Sequence, residues 1–171
     1  SDLKWEDLEQ DLGRARFNEL FSHIRMIYLK TKAQKSLLDE FQESIIPNIN
    51  SVSDFIDTEL TSYADKFNAL KSRNYRAGNF TEEINGYLFW LNKVNFSEWI
   101  PVVIRFLHAK PTEQLAYDFF KYLDCLTSYF YLSAKNVNDR IYRFGDILEQ
   151  LENDLDCSKE LKVPNKLYLT D

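Results

Sequence analysis

Four glycines and four prolines in 171 residues leave little material for tight turns. Sandwiches and barrels use turn signals about every 8–12 residues, so this scarcity argues against them. Cysteine is also sparse. Cys125 and Cys157 are too few to staple a chain of this size, and they fit a reducing compartment better than a disulfide framework. Cys125 falls in an apolar helical stretch and is expected to be buried; Cys157 lies in an acidic turn and is expected to be exposed. No apolar run approaches the roughly 20 residues that span a bilayer, and the opening SDLKWEDLEQ has no signal-peptide pattern. The expectation is a cytoplasmic protein with no membrane partner. Only two histidines occur, His23 and His108, far apart and neither followed by a second ligand at i+3 or i+4. A glycine-rich phosphate loop, G-x-S-x-G, H-E-x-x-H and C-x-x-C are all missing. No metal or cofactor is implied, and no catalytic residue can be named.

What is plentiful is apolar and aromatic mass. Hydrophobic residues make up 44% of the chain and aromatics 15%, including thirteen Phe and ten Tyr. A single domain of this size buries roughly 70% of its unfolded surface, and this supply is ample for it. The clearest pattern is FNELFSHIRMIY, where Phe17, Leu20, Phe21, Ile24, Ile27 and Tyr28 fall on one helical stripe. His23 and Arg25 are expected on the flanks of that stripe.

The same period recurs along the chain. Residues 1–12 read as a helix through Leu3, Trp5, Leu8 and Leu12, with Gly13 as its interruption. Residues 36–46 follow through Leu37, Leu38, Phe41 and Ile45, closed by Pro47. Ser53 is expected to cap a helix along Ile56, Leu60, Tyr63, Ala64, Phe67 and Leu70, which ends before Gly78. Thr81 and Ser97 are expected to cap two shorter helices, with Pro101 tolerated in the first turn of the second. Thr112 opens a long helix through Leu115, Phe119, Leu123, Leu126 and Phe130. Asn136 or Asn138 caps the last, along Ile141, Phe144, Ile147, Leu148, Leu151 and Leu155. Thr170 and Asp171 resemble the cap of a further helix. The expected fold is all-α, an irregular bundle of about seven helices in one domain, 1–171.

Net charge is −6, against non-specific attraction to nucleic acid. The distribution is uneven: residues 14–35 hold six Lys or Arg and a single acid, Glu19. A second basic cluster, Lys66, Lys71, Arg73 and Arg76, has no acid among it. Cations there complement the end of a helix dipole, which explains part of the cluster. Lys71, Arg73 and Arg76 could also contact a DNA backbone, with Tyr75 available to stack. Asp139, Arg140 and Arg143 open the last helix. Two cations near a helix start oppose its dipole, so a partner is expected: Asp139, Asp146, or acids on a neighbouring helix. Trp90, three residues from Tyr87, is expected in the core, with Trp99 beyond the following connector. The paired acids Glu82/Glu83 and Asp54/Asp57 sit where helix starts favour negative charge.

Four blocks carry a resemblance. They are LFSHIRMIY (20–28), with Phe21, His23 and Arg25; Phe55-Ile56-Asp57 with Leu60 and Tyr63-Ala64-Asp65; Trp90-Leu91-Asn92 through Trp99-Ile100-Pro101; and NDRIYRF (138–144). In order and spacing they resemble the helical middle region of GmrSD-type, modification-dependent restriction endonucleases and their phage-defence relatives. In that family a ParB-like domain, often bearing D-G-Q-Q-R, hydrolyses nucleotide, and an HNH domain cuts DNA. Neither motif occurs here. The resemblance therefore implies a non-catalytic connector, a piece of a larger multidomain protein, with the flanking domains as partners and DNA as a further one. A helical protein-interaction module without a nucleic-acid role is the alternative.

Overall fold

The computed structural model describes residues 2–158 and 160–169. Among them every regular element is helical and no strand occurs, so the all-α class holds. Helix α1 spans Asp2–Leu12 and α2 spans Arg14–Leu29, broken only by Gly13 at φ 76°. That left-handed conformation is the reason for a glycine at the junction. Helix α3 starts at Leu37–Glu40 and continues as a π turn over Phe41–Ile45, then a 3₁₀ turn over Ile46–Asn48 that contains Pro47. Helix α4 runs through Val52–Asp54, a π segment Phe55–Leu60 and Thr61–Ser72. A 3₁₀ turn, Gly78–Phe80, leads into α5, Thr81–Leu91. Helix α6 spans Ile100–His108, α7 Glu113–Leu132 and α8 Val137–Ser158, followed by a 3₁₀ turn at Asn165–Leu167.

The centre of the fold is α6. Apart from Arg105 and His108, its residues are buried, because α2, α4 and α8 all pack around it. Phe106 stacks on Phe119 of α7 at 3.9 Å with the rings 7° apart, joining this group to the α5–α7 pair. Trp99, only 1% exposed, plugs the base of α6. The C-terminal 3₁₀ turn docks against α7 and α8 through buried Leu167, and Tyr168 packs on Tyr122.

Several sequence expectations hold. Thr112 Oγ1 accepts the Leu115 N–H at 3.2 Å, and Asn136 Oδ1 accepts the Asp139 N–H at 3.0 Å. Others need correction. Ser51, not Ser53, caps α4, accepting the Asp54 N–H at 3.2 Å. Thr81 bonds backward to Ala77 and Gly78 instead of capping α5, and Ser97 contributes its carbonyl, not its side chain, to the start of α6. Cys125 is exposed. The buried stripe of α7 runs Phe119, Phe120, Leu123, Leu126, Thr127 and Phe130, which turns Cys125 outward beside Tyr122 and Tyr129. Trp90 is 64% exposed, since α5 buries Ile84, Leu88 and Leu91 instead. His23 and Arg25 are buried, because α1, α3, α4, α6 and α8 all pack against α2. The capping role expected of Thr170 and Asp171 lies outside the described residues.

Candidate functional site

Polar side chains from α2, α4, α6 and α8 converge on a cleft of about 430 Å³, within the range of small-ligand pockets. Glu59 projects from the π segment of α4, and single π turns often mark functional positions. Its Oε2 accepts the hydroxyl of Tyr28 at 2.6 Å and that of Tyr63 at 3.4 Å. Burial, then the Glu59 carboxylate, raises the pKa of Tyr28; for Tyr63 burial dominates, and both phenols stay protonated donors.

Beside them Arg105 grips Glu152 of α8 with two bonds, Nε–Oε1 at 2.6 Å and Nη2–Oε2 at 2.9 Å. Burial disfavours the guanidinium, but this fork outweighs it and raises the Arg105 pKa. His108 meets Ser62 Oγ at 2.9 Å through Nδ1 and packs its ring edge-on to Tyr63 at 4.9 Å. Burial, then repulsion from Arg105, lowers its pKa, so the imidazole is neutral at pH 7. Lys30 and Asp156 line the rim. The arrangement offers donors and acceptors, the Glu59 carboxylate among them, but among the described residues no group of three or more His, Cys, Asp or Glu is placed to hold a metal.

The residues singled out from sequence lie elsewhere. Lys71 pairs with Glu19 at 2.8 Å and lies over Phe67. Arg73 occupies the left-handed cap of α4 at φ 53°, and its guanidinium rests 5.2 Å from the Phe89 ring centre. Lys93 approaches the same ring at 5.1 Å, and Phe89 meets Trp90 edge-on. Arg76 is exposed. Tyr75 is half-buried towards Phe120, with its backbone held by Asn85, so its ring is not a free stacking platform. Arg73, Phe89, Trp90 and Lys93 thus form a basic–aromatic ridge, of which only Arg73 belongs to the basic cluster expected from sequence.

Arg140 finds its partner in Glu98 at 2.9 Å, in the turn before α6, and lies 4.5 Å from the Phe96 ring centre. Asp139 bonds Asn136 instead, and Asp146 approaches Lys166. Arg143 donates to the Tyr168 carbonyl at 2.8 Å. Phe21 joins Trp5, Phe17 and Phe41 in an aromatic cluster. His23 bonds Glu19 at 3.4 Å and packs on Phe67. Arg25 forks onto Glu40 and the Thr31 carbonyl. His23 and His108 line different cavities.

No known protein family, curated protein or solved structure matches this chain. The cleft went unread because its members come from four helices and none makes a motif. The one usable signal was Glu59 and Tyr63 at i, i+4 on the stripe that continues to Phe67.

Proposed function

We propose that this chain is a non-catalytic helical scaffold of the kind that lies between the nucleotide-hydrolysing and nuclease domains of GmrSD-type restriction proteins, touching the DNA backbone through Arg73 and Arg76. The observation that supports it is the ridge on which Arg73 and Lys93 share the Phe89 ring beside exposed Trp90. Cations interleaved with exposed aromatics suit a phosphate backbone and unstacked bases. Other cations bridge helices, as Arg25, Lys71 and Arg105 do, and Arg140 ties α8 to the turn before α6, which suits a rigid positioning element.

A salt series of DNA binding tests the reading. Wild type should bind weakly, and the Arg73→Ala/Arg76→Ala variant should reduce the slope of log K against log salt by about 1–2. The same protein with magnesium should neither cleave DNA nor hydrolyse nucleotide. No DNA retention at low salt, an unaltered slope, or cleavage that tracks the protein through purification would sink it.

A protein-interaction module is the second reading. A groove of about 390 Å³ lined by Trp90, Leu91, Val94, Tyr131 and Leu132 favours it, with Leu132 82% exposed. A dedicated protein partner retained without DNA would select this reading.

A further inference from the structure

We propose that the cleft between α2, α4, α6 and α8 is a binding site for an organic cation of the amine or guanidinium class, held by Glu59. This goes beyond the scaffold reading and does not depend on it. Glu59 is half-buried, and both phenol hydroxyls converge on its Oε2, so that among the described residues no donor reaches Oε1. No cation among the described residues lies within ion-pair distance of it. Arg105, which also lines the cleft, is engaged by both oxygens of Glu152. The lining holds Glu59, Glu152 and Asp156 against Lys30 and Arg105, one more formal negative charge than positive.

A half-buried carboxylate held by two donors binds a charged N–H group strongly, because the bond is charge-assisted and water is partly excluded. The half-buried Tyr28 ring, which lines the cleft, supplies π surface for the cation's body. An anion would meet Glu59 unshielded, and an apolar ligand would leave Oε1 without a donor. The cation can arrive as a free small molecule or as an arginine or lysine side chain of another protein, and the chemistry of recognition is the same.

Calorimetric titration with agmatine and, separately, with a capped peptide bearing one arginine tests this on the 171-residue chain. Agmatine should bind saturably while uncharged butylurea does not, and Glu59→Gln should weaken binding at least about tenfold. Saturation by the peptide but not by agmatine assigns the site to a protein side chain. Glu59→Gln keeps acceptors for both phenols and should melt near wild type. Should it unfold, Tyr63→Phe, with chemical-shift mapping of Tyr28 and His108 on agmatine addition, gives the same reading. Absence of saturable binding by either probe, or binding that neither substitution nor mapping ties to the cleft, would overturn the proposal.

Discussion

Arg25 and Glu40 meet between α2 and α3 with both side chains under a tenth exposed. Glu40 also accepts the backbone N–H of Gln34 at 2.8 Å, so one carboxylate anchors the loop that joins the two helices. The Arg25 bond, opposed by burial and aided by Gln34, depresses the Glu40 pKa from 4.5 to about 2. Glu19 falls to about 2 as well, first through His23 and, against burial, through Lys71. Groups with lowered folded-state pKa stabilise above their unfolded value and lose that contribution as pH falls through the folded one. Urea midpoints should therefore drop between pH 4.5 and 2. Glu40→Gln should cost roughly 3–5 kcal/mol at pH 7, by leaving Arg25 buried without its charge partner. It should also flatten the acid limb, and a profile as steep as wild type would refute the assignment. Periodicity could place Arg25 only relative to its own stripe. What covers it comes from α3, fifteen residues on.

At the scale of elements, the junction of α2 and α8 depends on Gly145. A Cβ there would lie 2.1 Å from the carbonyl oxygen of Lys30, the left-handed C-cap of α2 at φ 57°. Backbone cannot yield as a flexible side chain does. Gly145→Ala should destabilise by about 1–3 kcal/mol through overpacking, despite alanine's better helix propensity. Chemical denaturation would measure it, and a gain in stability would show that the close approach is dispensable. The helix stripes themselves were legible in sequence, as were the Thr112 cap and the choice of Asn136 or Asn138 for the last helix, because spacing and cap chemistry are local. The π segments at Phe41–Ile45 and Phe55–Leu60 were not, since an i→i+5 bond leaves no periodic trace in so short a run. One of them carries Glu59, so the cleft escaped notice with it.

Across the whole molecule, α6 threads a continuous core that includes residues of every helix. The Phe106–Phe119 stack ties the α5–α7 pair to the rest, so neither part has an apolar face complete without the other. Heat should unfold the chain in one transition with equal calorimetric and van't Hoff enthalpies. Two resolved transitions would show separable units.

The sequence alone determined that this chain is helical, where most of its helices run and which stripes they bury, because 3.6-residue periodicity and the scarcity of turn formers are properties of adjacent residues. Tertiary structure alone decided that Trp90 and Cys125 face outward, that His23 and Arg25 go inside, and that Glu59, Tyr63, Arg105, His108 and Glu152 share one cleft. Those outcomes depend on which helix lies against which, and residues far apart in the chain carry no local signal of that pairing.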